Sequence, residues 1–211
     1  MKTLIAIPAM DTVPTQFCSA LSMLNKVGDC VVSFNVGSLV YTSRNKLAQT
    51  AIQMDTDYIF WLDSDMVFNP DILERMMNTM QDKKLDVLSG LYFRRVPPYT
   101  AVLFDKLEIV DGKCDFTNFD EVPQEMFKAG GVGFGCVLMK TDVAFDVYSQ
   151  YLDMFSPIAS VGEDLSFCWR ARQCGYDIWV DPSVKLGHVG HCVVTEDFAK
   201  AYQTGTRKTK K

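Results

Sequence analysis

Residues 58–65 read Tyr-Ile-Phe-Trp-Leu-Asp-Ser-Asp, an apolar run that stops abruptly at two carboxylates spaced i, i+2. Aromatic and β-branched residues in such a run suit a buried strand. Desolvating a carboxylate is costly, so Asp63 and Asp65 belong where that strand ends and meets solvent. In open α/β sheets, ligands bind at the carboxyl ends of strands. Two hard oxygen ligands at such a point suit Mg²⁺ or Mn²⁺ shared with substrate phosphates. The simpler reading is a polar strand-to-helix turn, with Asp71 after Pro70 beginning the next helix.

The flanking pattern supports an α/β sheet. Thr3–Ile7 reads as a first strand ending at Pro8. Thr15–Lys26 carries apolar residues at 17, 21 and 24, with Cys18 on the same face, a helical spacing. Cys30–Phe34 is a second strand, and Gly37–Tyr41 a loop, after which Ser43 caps a helix over Arg44–Met54. Pro70 opens a helix to about residue 81, and Val87–Tyr92 is a fourth strand. Alternation of strand and helix over the first ~95 residues predicts a mostly parallel sheet flanked by crossover helices.

The rear half differs. Residues 96–128 are rich in breakers, with hairpin-like pieces at Ala101–Phe104 and Leu107–Val110. A strand at Val137–Lys140 leads to a helix capped by Thr141, and a helix over Glu163–Cys174 is closed by Gly175. Short strands are expected at Asp177–Val180 and Val184–Leu186. The expectation is one domain over residues 1–203, with a nucleotide-binding half (1–95), an acceptor half (96–203) and a basic, disordered tail from 204 to 211.

At 211 residues the chain can bury a substantial core. Its net charge is −5 although Arg207, Lys208, Lys210 and Lys211 crowd the end, so the body is more acidic still. An acidic body argues against broad nucleic-acid binding. No segment approaches the ~18 continuous apolar residues of a membrane span. Leu4–Ile7 is too short for a secretory signal. Seven scattered cysteines, an odd number, suit free thiols in a reducing cytoplasm. A zinc set of Cys168, Cys174, His188 and His191 would need a C-x5-C spacing looser than usual.

Four further clusters bear on chemistry. Gly130-Gly131-Val-Gly133-Phe-Gly135 precedes a strand, so it fails the dinucleotide fingerprint and instead suggests close backbone approach, to a substrate or within a tight turn. Glu163-Asp164 opens a helix, where the dipole favours carboxylates and where one of them could serve as a rigidly held general base. His188, between glycines, reads as a structural hydrogen-bonder or as a metal ligand beside the Asp cluster. Arg44, at a helix start near the sheet's carboxyl edge, reads as a diphosphate partner or a surface residue.

In this order, D-x-D after a strand, a Gly-rich stretch before a strand, Glu-Asp opening a helix and a late His resemble the GT-A fold glycosyltransferases, most of all the small family-2-type enzymes. The resemblance spans about residues 3–191. It implies an α/β GT-A fold and metal-dependent transfer, hexosyl in kind, from a nucleotide-diphospho-sugar to an acceptor hydroxyl, with inversion. The implied cofactor is Mn²⁺ or Mg²⁺, and a UDP-sugar is favoured as donor over a GDP-sugar. Pro8, Ala9, Met10 and Asp11 would hold the nucleotide, with Arg44 and Asn45 of the Ser43-Arg44-Asn45 segment. Asp63 and Ser64 would face the donor, Asp63 toward ribose or sugar. Asp65 would bind the metal, with Asp63 and His188 as further ligands. Glu163 and Asp164 match the catalytic pair, Asp164 being the base, and Gly131 and Gly133 would line the pocket.

The chain lacks the Q-x-x-R-W motif of processive synthases, which points to single-sugar transfer onto a soluble or peripheral acceptor. That acceptor is open: a glycan, a lipid-linked molecule, a protein or modified nucleic acid. The expected location is cytoplasmic, with contact at a membrane periphery as the variant. Two other readings stand beside this one. A nucleotidyltransferase would want a basic, Gly-rich loop after strand one, and Pro8–Gln16 has no Lys, Arg or Gly. An inactive sugar- or partner-binding domain would be expected to lack part of the constellation, which is intact.

Overall fold

The computed structural model describes residues 1–190 and 193–208. In chain order the elements are β1 (Lys2–Ala9), α1 (Thr15–Met23), β2 (Asp29–Val36), α2 (Val40–Gln53), β3 (Tyr58–Leu62), β4 (Met66–Val67) and α3 (Ile72–Lys83). There follow β5 (Val87–Leu91), β6 (Leu103–Val110), β7 (Lys113–Asn118), β8 (Phe127–Ala129), β9 (Gly131–Val132), β10 (Cys136–Lys140) and α4 (Thr141–Tyr151). The chain ends with α5 (Glu163–Gln173), β11 (Ile178–Lys185), β12 (Gly187–Val189), β13 (Val193–Val194) and α6 (Glu196–Lys208).

The central sheet has seven strands in the order β2-β1-β3-β10-β5-β11-β8. β2, β1 and β3 run parallel, as do β5 and β11, while β10 runs antiparallel between β3 and β5. Apolar runs fill both sheet faces because strand side chains alternate. Leu4, Ala6, Ile59 and Trp61 point into one core with α2, α4 and α5. Ile5, Ile7, Phe60 and Leu62 point into the other with α1 and α3. α3 presents Ile72, Leu73, Met76, Met77 and Met80 to that face, each burial being worth roughly 1.5–3 kcal/mol.

Local chemistry explains where the boundaries depart from the sequence reading. α2 starts at Val40, so Ser43 lies inside the helix, buried, and Leu39 takes the capping position without a side-chain bond. Gly37, at φ +75°, turns the chain there and donates to the carbonyls of Ala9 and Met10, so the helix begins earlier. The two pieces expected at 101–104 and 107–110 merge as β6. It pairs with β7 around Asp111-Gly112, both at positive φ as a two-residue hairpin turn requires. The pieces at 177–180 and 184–186 join as β11, whose register shifts between Val180 and Lys185 around Pro182. α6 runs to Lys208, into the segment expected to be disordered. Among the described residues no helix is long and apolar enough to cross a membrane.

Candidate active site

β3 delivers Asp63 to the sheet's carboxyl edge, where its N–H donates to Gly135 O at 3.2 Å. The chain then turns into β4, which pairs antiparallel with β12 and sets Met66 opposite His188. Val189 N–H donates to Asp65 O at 2.8 Å, so the pairing carries His188 across 123 positions of sequence to Asp65. His188 Nε2 lies 3.3 Å from Asp65 Oδ2, and Nδ1 lies 2.9 Å from Phe93 O. A carbonyl only accepts, so Nδ1 carries a proton and Nε2 is the atom turned to Asp65. Burial disfavours charge on this imidazole, but Asp65 outweighs it and raises the pKa. Arg95 Nη1 donates to the same Asp65 oxygen at 2.6 Å.

Arg44 organises the other side. It is 2 % exposed, and α2 aims it inward at the helical spacing of Leu47, Ala48 and Ala51. Its Nη2 donates to Asp63 Oδ1 at 2.8 Å and its Nε to Glu163 Oε1 at 3.3 Å. The guanidinium also lies 5.2 Å from the Phe134 ring centre and 5.8 Å from that of Trp61, within cation–π reach. Burial works against its charge, yet Asp63, Glu163 and Asp164 prevail and raise its pKa. Burial likewise pushes the Asp63 carboxyl up, with Arg44 opposing and Asp65 and Glu163 adding to it.

Asp164, one residue into α5, accepts from the N–H of Leu165 at 2.8 Å. Burial, then the neighbouring Glu163 carboxylate, lift it to about 6. A carboxyl poised there can change protonation near neutrality. Tyr92, just past β5, lies between these groups. Its hydroxyl accepts from Gly135 N–H at 3.1 Å, and its ring meets His188 edge-on with centres 5.8 Å apart. Burial drives the phenol well above its ordinary range.

These groups converge on one cleft of ≈360 Å³ at the strands' carboxyl ends. Of the residues expected from sequence, Pro8, Ala9, Met10, Arg44, Asp63, Ser64, Asp65, Glu163, Asp164 and His188 line it. Asp11, Asn45, Gly131 and Gly133 do not. Asp11 is exposed. Asn45 instead clamps the loop after α4, donating to Asp153 Oδ1 at 3.0 Å and accepting from the N–H groups of Met154 and Phe155. The glycines make room for neighbours: a Cβ on Gly131 would come within 2.7 Å of Leu165, and one on Gly133 would overlap the Tyr92 hydroxyl. Arg44, expected as a diphosphate partner, is already engaged by two carboxylates.

The metal ligands expected at Asp63, Asp65 and His188 are only partly gathered. Among the described residues no three His, Cys, Asp or Glu side chains form a metal cage. Asp63 turns to Arg44, which leaves Asp65 and His188 as a pair. That pair suits a divalent cation, since a hard oxygen and an imidazole nitrogen share one locus, the imidazole held by a backbone carbonyl as metal-bound histidines usually are. The zinc set is not assembled there: Cys168 packs against Val132, Cys174 meets Gln150, and His191 lies outside the described residues.

Sequence reasoning missed Tyr92, Arg95, Ser38, Val40 and Phe134, which also line the cleft. Tyr92 had one available signal, its place at the carboxyl end of a strand.

A family model described as glycosyl transferase family 2 matches residues 31–144, more than half of the chain. The chain therefore belongs to glycosyl transferase family 2. No curated protein matches it in sequence. Among solved structures, A197 from STIV is similar over 93 % of this chain and 91 % of its own, with a TM-score of 0.67 and 18 % identity. GalNAc-T7, solved with UDP, GalNAc and Mn²⁺, is similar over 90 % of this chain and 43 % of its own, with a TM-score of 0.59 and 11 % identity. The fold is that of the GT-A glycosyltransferases. The matched segment holds Arg44, Asp63 and Asp65; Asp164 and His188 lie beyond it.

Proposed function

We propose that this glycosyltransferase moves a single sugar from a nucleotide-diphospho-sugar to an acceptor hydroxyl, with inversion and with a divalent cation. The observation that carries the reading is the convergence of Asp63, Asp65, Arg44, Glu163, Asp164 and His188 on one cleft, from segments spread over most of the chain. The small and apolar side chains of Pro8, Ala9, Met10 and Val40 offer one wall for a nucleoside. Asp65 and His188 would hold Mn²⁺ or Mg²⁺. When bound, such a cation neutralises the leaving diphosphate as a Lewis acid.

Asp164 then serves as general base. Its ionised carboxylate takes the proton of the acceptor hydroxyl as that oxygen bonds to the anomeric carbon, and the sugar–phosphate bond breaks on the opposite face. One base suffices because no covalent sugar–enzyme intermediate forms. Arg44 keeps Asp63 and Glu163 fixed, so the donor-facing carboxylate and the helix bearing the base are held by a single cation. A UDP-sugar is the favoured donor, partly because the similar GalNAc-T7 structure contains UDP.

The test is incubation with Mn²⁺ and UDP-, GDP- and dTDP-sugars, following donor hydrolysis and thermal stability. At least one sugar nucleotide should stabilise the protein and be hydrolysed slowly, with Asp65→Ala abolishing both effects. If none stabilises it and Asp65→Ala leaves the response to Mn²⁺ unchanged, the reading is wrong.

A further inference from the structure

The buried Tyr92 hydroxyl has no role in the chemistry just described, yet the fold goes to some length to place it. It is 4 % exposed and lines the cleft. Gly133 and Gly135 are both needed for it. A Cβ on Gly133 would overlap the hydroxyl, and one on Gly135 would lie 2.7 Å from the ring carbon that bears it. Two glycines of the G-x-G-x-G stretch thus accommodate one phenol.

The hydrogen bonding is half complete. The hydroxyl oxygen accepts from Gly135 N–H at 3.1 Å, and among the described residues no group accepts its proton. A phenol is protonated at neutral pH and offers one donor. Leaving a buried donor without an acceptor is costly, so a bound oxygen is the natural completion. The position narrows which oxygen. The ring meets His188, at the cation end, and Asp63 and Asp164, on the donor and base side, line the same cleft as Tyr92. A nucleoside on the Pro8–Met10 wall would leave the transferred sugar between those two groups.

We infer that Tyr92 donates its O–H to a hydroxyl of the donor sugar and so fixes that sugar between Asp63 and Asp164. The inference rests on the donor reading of the cleft. It makes Tyr92 a selector of the sugar, blind to the nucleotide. A hydroxyl-to-hydroxyl bond of this kind carries roughly a three- to tenfold effect on binding. Against a donor lacking the partner oxygen, the buried phenol would be left unsatisfied, and discrimination by such groups can be larger.

The experiment carries the sugar nucleotide that best stabilises the wild type, and its nucleoside diphosphate, to Tyr92→Phe in the presence of Mn²⁺. Calorimetric binding should show the sugar nucleotide weakened three- to tenfold and the nucleoside diphosphate changed by less than twofold. Equal losses for both, or no loss for either, would overturn the inference while leaving the donor reading intact. Failure of every sugar nucleotide to bind the wild type overturns the donor reading instead. If Tyr92→Phe does not fold, a series of singly deoxygenated donors on the wild type decides. One deoxy position should bind three- to tenfold more weakly than the rest, whereas uniform binding across the series refutes the contact. Where the variant folds, it should be indifferent to that deoxygenation, as a double-mutant cycle requires.

Discussion

Arg44 Nη2 and Asp63 Oδ1 stand 2.8 Å apart, with Arg44 2 % exposed and its guanidinium also held by Glu163. One buried cation therefore joins the end of the central strand to the start of the helix that carries Asp164. Arg44→Met should destabilise the protein by roughly 3–5 kcal/mol, because Asp63 and Glu163 would then share a poorly solvated space without a counterion. Urea denaturation measures it. A loss below about 1 kcal/mol would mean that water reaches the pair freely. Arg44→Lys should recover only part, since an ammonium cannot reproduce the two-sided fork.

Asp164 gives the pH dependence. In its proposed role as base it would work ionised, and its carboxyl is lifted to about 6. The kcat/KM should therefore rise with pH through that value and level off above it. Asp164→Asn should lower turnover by about 10²–10⁴-fold at neutral pH. Stability runs the other way. A carboxyl raised in the folded state contributes stability that is fully present below its unfolded pKa of about 4 and lost as pH rises through about 6. The asparagine variant should lack that part of the decline, which thermal melts across pH 4–7 would reveal.

Mn²⁺ with the cognate nucleoside diphosphate should raise the melting temperature, since a ligand of the folded state stabilises by mass action. His188→Ala should remove most of that shift, and Asp65→Asn should weaken it at least tenfold in Mn²⁺ concentration. Arg95→Ala separates competition from support. The guanidinium occupies Asp65 Oδ2, so its removal should tighten binding of Mn²⁺ alone, readable by titration of the free ion's paramagnetic signal. Unchanged binding would show that Arg95 leaves the oxygen at no cost.

Gly133→Ala and Gly131→Ala make an instructive pair. At Gly133 the new methyl group would overlap the Tyr92 hydroxyl, which is tied to Gly135 N–H, and press on Val102, and should cost about 1–3 kcal/mol. At Gly131 it meets the far end of Leu165, a side chain that can shift, and should cost less. Equal melting temperatures for the two variants would refute this account of the motif.

The strand-helix alternation was readable because both sheet faces are apolar, so β1 and β3 appear as nearly continuous apolar runs. Asp63 and Asp65 were readable for the same reason, as charges that end such a run. Arg44 was misplaced because Ser43 looked like a cap; the better signal was that 44, 47, 48 and 51 share one helical face, which puts a cation inside. The Gly130–Gly135 stretch suggested close approach correctly in kind, but the partners are Leu165 and Tyr92, which lie far away in sequence. Asn45 resembled a ligand residue, yet the structure gives it a loop to hold. Asp65 and His188 meet through the β4–β12 pairing, two strands too short to leave a periodic trace.

The antiparallel β10 has a consequence for how the chain acquires its shape. It lies between β3 and β5 in the sheet and is hydrogen-bonded to both. During synthesis, β1, β2 and β3 can pair as soon as they emerge, but the remainder of the sheet waits until residue 140 has been made. Closing that gap pairs Val137 with both Trp61 and Ser89. Such non-local contacts carry a large loop-closure cost and come late. A fragment ending near residue 95 would thus present a naked strand at the very edge that carries Asp63, and the cleft exists only once the second half of the molecule has locked into the middle of the first.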